Sequence, residues 1–403
     1  MHLVNGRYAT LDLSSGEVQE HELQDDYTRS SFGVMATIDA AVASAGGAGF
    51  ALASGILTGS LVPASCAGFI RIPHSESNPT RMCPLTGFMG VELKLTGFDF
   101  VVITGKASGD GYVWIRDGII EFVASPEIHK CDSWERTDKI RSDQGDRKIQ
   151  VVAGGPWGDH GLAASQLTMN YWGGEDRVGA AAELGRMGLS AVAFRGMGEL
   201  ELLDPEEHLA RSLALMRSQI ALLGPNDGLA SFSEAAGRDD FRGLLHRNIS
   251  CYACPFPCRS YYKLYEDAKV MTFDNKEPGY LVYDVPSVER MASLRMDARE
   301  IVEALKRCAR YGAEPMAVVS ALPADETGVD MTELDAVLIS NGPAEPWSGS
   351  SSGGFSESFD DSSDYETCLA LGLCPRYWAR AGFNRDSVCS VAEPALGMKL
   401  DMG

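Results

Sequence analysis

Three cysteines crowd into the stretch Cys251-Tyr252-Ala253-Cys254-Pro255-Phe256-Pro257-Cys258, at the spacing C-x2-C-x3-C. A cubane iron–sulfur cluster needs thiolates that converge on separate iron corners, and short spacing in an irregular loop supplies them. Pro255 and Pro257 hold such a loop out of helix. The fourth thiolate comes from elsewhere in the chain. Cys374, in Leu371-Gly372-Leu373-Cys374-Pro375, is the candidate, with Cys368 as the alternative. Three readings are open: a [4Fe–4S] cluster, a structural four-cysteine zinc site, and plain core thiols. Zinc sites commonly pair two C-x2-C knuckles, and the chain has one. Cys66, Cys83, Cys131, Cys308, Cys368 and Cys389 are isolated in sequence and read as buried free thiols.

Other chemistries find little support. The seven histidines are scattered, with no pair at ligand spacing and no His-Glu-x-x-His, so each reads as structural or surface. There is no phosphate loop and no nucleophile elbow. Gly154-Gly155-Pro156-Trp157-Gly158 follows a strand but lacks the acidic partner of a dinucleotide fingerprint, and reads as a turn.

The net charge is −21, which repels phosphate backbones and argues against nucleic acid. The acidity serves solubility, or steers the chain toward a basic partner subunit. No apolar run reaches the roughly 20 residues that span a bilayer. The opening residues lack the basic and apolar regions of a secretory signal. A cytoplasmic protein is expected, in which closely spaced cysteines ligate metal more often than they form disulfides.

The elements that must position the thiols divide the chain. The first 200 or so residues read as mainly β. Tyr8–Leu13 and Val18–Leu23 form a hairpin, as do Tyr112–Arg116 and Ile119–Val123 across Asp117-Gly118. Phe100–Thr104, Ile149–Ala153 and Ala191–Phe194 are further strands. No internal repeat is evident. Asp204-Pro205-Glu206-Glu207 is a helix start leading to Leu223, and Ala298–Tyr311 is an amphipathic helix ended by Gly312. Residues 341–364 are rich in Ser, Gly and Asp and read as a linker or surface loop. The expected class is α+β, with a β-rich domain at 1–203, a helical iron–sulfur domain at 204–340, the linker at 341–364, and a C-terminal segment at 365–403 supplying the fourth cysteine.

Several blocks resemble the aldehyde:ferredoxin oxidoreductase family of tungsten- or molybdenum-pterin enzymes. They are Gly6-Arg7-Tyr8 with the hairpin Leu11–Val18, Ile56-Leu57-Thr58-Gly59, Gly90–Asp99, Gly105-Lys106-Ala107, Leu189–Gly196, Arg247–Pro255 and Leu371-Gly372-Leu373-Cys374. The resemblance implies a β-rich pterin platform and helical domains carrying a [4Fe–4S] cluster on Cys251, Cys254, Cys258 and Cys374. It also implies oxidation of aldehydes or related substrates, with electrons leaving to ferredoxin or a partner subunit, inside an oligomer or complex.

The departures from the family pattern concern the pterin. Where family members place an arginine and an asparagine against the pterin phosphates and magnesium, an ungapped count finds Ala67 and Pro84; a shifted count offers Arg71. Arg177 stays in register as a remnant of pterin binding. The two Asp-x-x-Gly-Leu motifs that hold the pterins become Ala309-Arg310-Tyr311-Gly312-Ala313 and Leu369-Ala370-Leu371-Gly372-Leu373, both without aspartate. Residues 321–364 stand where the family has a further helical domain with a catalytic glutamate and histidine. The expectation is an electron-transfer or scaffolding subunit with an eroded tungstopterin site. The alternatives are an active tungsten- or molybdenum-pterin oxidoreductase, and a zinc-binding or metal-free interaction protein.

Overall fold

The computed structural model describes residues 3–24, 27, 30–46, 49–72, 82–173, 178–227, 239–264, 279–282, 285–322, 329–340 and 362–401. Most of the expected linker, residues 341–361, lies outside them. Residues 362–364, expected in the same linker, instead open a helix, Ser362–Leu371, and Arg385 donates to the Asp364 carboxylate at 2.7 Å.

Two six-stranded sheets form the first half. The first holds β1 (Arg7–Asp12), β2 (Glu17–Glu22), β3 (Gly49–Ser54), β4 (Gly68–Arg71), β5 (Met82–Leu85) and β6 (Phe100–Thr104), in the order β2-β1-β6-β3-β4-β5. The second holds β7 (Gly111–Arg116), β8 (Ile119–Ala124), β9 (Gln150–Ala153), β10 (Thr168–Met169), β11 (Trp172–Gly173) and β12 (Leu189–Arg195), in the order β11-β10-β9-β12-β7-β8. Read from the other end, the second order is the first with six added to each label. Directions agree too: β1 runs parallel to β6 as β7 does to β12, and the remaining neighbours are antiparallel in both. The helices also correspond: α1 (Ser31–Ser44) and α3 (Ser133–Gln144) follow the hairpins, and α2 (Met89–Leu95) and α5 (Ala180–Arg186) precede the last strands, with the short α4 (Pro156–Asp159) added in the second half. This corrects the sequence reading of no repeat. The topology is duplicated while the side chains have diverged, because a sheet face demands burial and not particular residues.

The pleat explains the layering. Alternate residues of both sheets, including Leu11, Leu52, Ile103, Ile115, Val152 and Phe194, share one core between the sheets. The opposite face of the first sheet, with Ala53, Phe69 and Val102, packs on the C-terminal helices α11 (Ser362–Leu371), α12 (Pro375–Ala381) and α13 (Arg385–Leu396). Beside the second sheet, Trp134, Trp157 and Trp172 form a core with the helical region, including Val302 and Val318. Strands such as Phe100–Thr104 are buried throughout, which is why they read as continuous apolar runs.

The later region is less purely helical than expected. The helices α6 (Pro205–Asp227), α7 (Val285–Ser293), α8 (Ala298–Tyr311), α9 (Pro315–Ser320) and α10 (Met331–Ile339) are joined by an antiparallel sheet of β13 (Leu245–Ile249), β14 (Arg259–Lys263) and β15 (Gly279–Val282). Helix α8 has the expected bounds, with Asp297 closing a capping box and Gly312 in the left-handed conformation at its end.

One buried cation ties these layers together. Lys94 is fully buried, and its Nζ donates to the carbonyls of Gly55, Ile56 and Thr58 at 2.7, 2.8 and 3.3 Å. Burial lowers its pKa to about 8, against the opposing pull of Asp99. The loop it holds bonds in turn to the C-terminal segment, Ile56 N–H to Ala370 O and Leu57 N–H to Leu371 O. Lys94→Met leaves the buried carbonyls of Ile56 and Thr58 without their Lys94 donor and is expected to cost on the order of 2–4 kcal/mol in chemical denaturation; an unchanged midpoint would refute the role.

Candidate metal centre

The cysteine loop 251–258 connects β13 to β14, so a hairpin delivers its two ends side by side. Its backbone is irregular, and Ala253 adopts φ 48°. The loop is held from outside. Tyr252 N–H donates to Gly87 O at 3.2 Å and Gly87 N–H to the Cys251 sulfur at 3.2 Å. The Tyr252 hydroxyl donates to Gly59 O at 2.9 Å.

Cys374 arrives from the far end of the chain. Gly372, at φ 81°, turns the backbone after α11, and Cys374 is the N-cap of α12. Gly372 lies so close to the first sheet that a Cβ on Gly55 would fall 1.8 Å from its amide nitrogen. The second half has a counterpart, where a Cβ on Gly155 would fall 2.6 Å from the Gly312 nitrogen. Gly155, expected in a turn, caps the one-turn helix α4. Both Gly-Leu-type motifs thus press against the ends of equivalent strands, β3 and β9.

The loop 64–67 joins the two cysteine-bearing segments. Ala64 N–H donates to Ala253 O at 2.9 Å, and Ala64 O accepts from Cys374 N–H at 2.9 Å. Ala67 N–H donates to Gly372 O at 2.9 Å. The four cysteines singled out by sequence are thereby brought together. The charges of Cys374, Cys251 and Cys258 act on Cys254, and burial with these neighbours pushes its thiol well up. Burial pushes the Cys258 thiol up to about 11, with Arg376 and Arg259 opposing. The structure adds Cys66, which sequence reading set aside as isolated. It is fully buried, and the neighbouring Cys251 and Cys374 side chains, with burial, push its thiol well up. Nothing in the spacing could have found it, because the proximity depends on the 64–67 loop. Cys368 is buried beside Cys374 and adjoins none of Cys251, Cys254 or Cys258 in its electrostatics. Among the described residues, no three His, Cys, Asp or Glu side chains close on one point as ligands of a single ion would. A cluster is wider than an ion and takes each thiolate at a different iron. The neighbouring, half-buried to buried thiols beside two arginines fit such a group.

Among the described residues, the positions compared with pterin ligands hold other side chains or are otherwise engaged. Ala309 and Leu369, where aspartates were sought, are fully buried in apolar cores. Ala67 is fully buried, and Pro84 is buried within β5. Arg71 is committed to a two-pronged pair with Asp39, its Nη2 at 2.7 Å. Residues 174–177, with Arg177, lie outside the described residues. The cavity beside Cys251, lined by Thr86, Met169, Trp172 and Arg259, measures about 40 Å³.

A larger cleft of about 540 Å³ adjoins it through Phe88, Gln150 and Ser250, flanked by Arg141, Arg147, Lys148, Arg195 and Arg247 with a single carboxylate, Glu92. Glu92 and Asp146 hold Arg195 at 2.6 and 3.0 Å, while Arg147 and Lys148 are exposed. The field beside the cysteine loop is therefore opposite in sign to the net charge of the chain.

Comparison with known proteins agrees with this architecture. Residues 8–196 match the family model of the aldehyde ferredoxin oxidoreductase N-terminal domain. The tungsten-containing aldehyde ferredoxin oxidoreductase of Pyrococcus furiosus is 24% identical over 299 residues, covering 63% of this chain and 48% of the relative. That of Thermococcus kodakarensis is 22% identical over 361 residues, covering 79% and 58%. Among solved structures, the active site complex BamBC of benzoyl coenzyme A reductase, in complex with 1,5-dienoyl-CoA, superposes with a TM-score of 0.67 over 96% of this chain and 66% of that one, at 15% identity. That likeness is one of fold. The chain spans about half the length of the curated relatives it matches. Fold and comparisons define an oxidoreductase scaffold with mixed N-terminal sheets and helices beyond. By these comparisons the chain resembles a divergent member of the aldehyde ferredoxin oxidoreductase family, whose N-terminal domain it carries. No helix among the described residues is long and apolar enough to cross a membrane.

Ala64 itself holds φ 59°, a conformation that costs a β-branched side chain more than alanine. Ala64→Val is expected to lower stability by about 1–3 kcal/mol, and Ala64→Gly to leave it equal or higher. Thermal denaturation of both variants checks this, and equal midpoints for Val and Gly would contradict the geometry.

Proposed function

We propose that the chain holds a [4Fe–4S] cluster on Cys251, Cys254, Cys258 and Cys374 and serves as an electron-transfer or scaffolding subunit of a larger redox complex, without a tungstopterin of its own. The observation that carries the reading is the pairing of two facts. The 64–67 loop draws the cysteine loop and Cys374 together, while Ala309 and Leu369, at the places of the two pterin-binding aspartates, lie in apolar core. The cluster, when bound, supplies one-electron storage at a potential set by its surroundings. The chain's own residues bind it, exclude water from it and hold its ligands. Cys374 is almost wholly buried, Phe256 covers the loop beneath Arg380 at 5.2 Å, and the Gly87 amide is already directed at the Cys251 sulfur.

A partner fits this arrangement. The basic cleft lies next to Ser250 and Cys251, so an acidic redox protein of the ferredoxin kind would dock there with its centre near the cluster. That a structural neighbour is itself part of a complex supports a multi-subunit setting. A second reading, an active tungsten- or molybdenum-pterin oxidoreductase on an aldehyde or related substrate, is favoured by the tungsten in the names of the relatives.

Metal analysis of anaerobically purified protein separates them. The first reading expects about four irons per chain with neither tungsten nor molybdenum; either metal in stoichiometric amount establishes the second, and zinc in place of iron defeats both. Cys254→Ser is expected to lose the iron and destabilise the loop, since metal binding contributes folding energy. Reversing the cleft with Arg147→Glu and Lys148→Glu should slow reduction by an acidic ferredoxin about tenfold at low salt, and less at high salt. Reduction by a small neutral dye should be unchanged. Equal slowing of both donors would exclude the cleft as the docking face.

A further inference from the structure

We propose that the basic cleft beside Ser250 is a binding site for a small molecule carrying a diphosphate, with Arg247 as the cation that reads it. This goes beyond the docking reading above and does not require that the thiols hold a cluster. Some cations of the cleft are already satisfied within the chain. The Arg141 Nε donates to Ile149 O at 3.0 Å, its Nη1 to the Tyr171 hydroxyl at 3.1 Å and its Nη2 to Asn170 Oδ1 at 3.0 Å. Arg195 is held by Glu92 and Asp146 and also donates to Gly196 O at 3.0 Å. Arg147, Lys148 and Arg247 differ: among the described residues, none of these three side chains makes a hydrogen bond or salt bridge. The carboxylate that lines the cleft, Glu92, is engaged by Arg195, so these cations face no anion of their own.

Arg247 carries the inference. It is half-buried, and its Nε is shielded from solvent without a hydrogen-bond partner. Withdrawing part of a guanidinium from water costs free energy that a counter-ion offsets, and the described residues supply none. Arg247 also lines both the cleft and the smaller cavity beside Cys251, so it stands where the two meet. Arg147 and Lys148 are exposed and come from a separate segment, just after α3. A ligand that engages both segments must carry more than one oxyanion. At about 540 Å³ the cleft has the size of a small-ligand pocket. A diphosphate brings two linked anionic groups to the unpaired cations, and a guanidinium takes a phosphate through two parallel N–H donors. Arg141 and Arg195, fixed by their own bonds, form a wall that need not reorganise on binding.

The test is calorimetric titration of the full chain with inorganic pyrophosphate at low salt, beside inorganic phosphate and malonate as single-phosphate and dicarboxylate probes. The parent should bind one pyrophosphate per chain, more tightly than either other anion and more weakly as salt is raised. Arg247→Gln should weaken pyrophosphate binding about tenfold or more, as the loss of a charge-assisted pair does. Arg247→Lys keeps the charge without the fork and should fall between. Arg217→Gln, at an exposed arginine on α6 outside the cleft, should bind as the parent does. The thermal midpoint of each variant shows whether it folds, and Arg247→Lys carries the test if Arg247→Gln does not. A parent that binds no pyrophosphate would overturn the proposal. So would undiminished binding in Arg247→Gln, or an equal loss in Arg217→Gln, which marks general electrostatics. Malonate bound as tightly as pyrophosphate would overturn the ligand class. Ferredoxin reduction plays no part in this titration, so docking at the cleft and diphosphate binding can each fail without the other.

Discussion

The structure depends on the meeting of three backbone segments at Ala64. Its amide and its carbonyl bond to opposite strangers, Ala253 and Cys374, at 2.9 Å each. Each such bond contributes only about 1 kcal/mol net, but together they fix a distance that no local rule could. The cysteine loop belongs to a hairpin in the later region, and Cys374 to the last helices, which are covered by the first sheet. The N-terminal sheets therefore do more than support a site elsewhere. Their loop 64–67 is the piece of chain against which both halves of the thiol set are aligned, and Lys94 secures the neighbouring loop 55–58 to the same C-terminal segment.

The duplicated topology gives this arrangement a counterpart. The ends of β3 and β9 each receive a glycine-bearing turn, Gly372 on one and Gly312 on the other, at approaches only glycine permits. Two equivalent positions have then been used differently. The first leads through Leu373 to Cys374 and the thiols. The second leads to Ala313, fully buried, and on to α9, whose Val318 and Val319 belong to the tryptophan-rich core. Once Ala309 and Leu369 are core residues, a carboxylate at either place would have to be buried without the phosphates or metal that could compensate it. An aspartate introduced at either place would thus cost stability unless such groups were bound there.

How much of this was legible in the sequence varied with how local the signal was. The hairpins at Arg7–Glu22 and Gly111–Ala124 and the helix Ala298–Tyr311 were legible nearly to their ends, because turn dipeptides and caps are encoded within a few residues. The strand Gly49–Ser54 was not, since glycine, alanine and serine carry no alternation even though all six residues are buried. The β13–β15 sheet was hidden by residues such as His246, Arg247, Arg259 and Lys263, which resemble loop. The three cysteines of the loop announced themselves by spacing, and Cys374 by its Gly-Leu-Cys setting. Cys66 had no such context, because its neighbours are supplied by two segments remote in sequence.

The charge distribution shows why composition could not say where a partner binds. A net charge of −21 predicts attraction to cations at long range. At about 0.15 M salt that field is screened beyond roughly 8 Å, so what a docking protein meets is the local surface. Beside Cys251 that surface is Arg147, Lys148, Arg195 and Arg247, with Arg195 held in place by Glu92 and Asp146. The two scales act in sequence. On the proposed reading, the general acidity would discourage an acidic partner from settling elsewhere, and the basic cleft beside the cysteine loop would reward it for settling there. An acidic chain with a basic entrance would thus select the orientation of such an encounter, which on the proposed reading matters more than its affinity, since what would pass between the proteins is an electron.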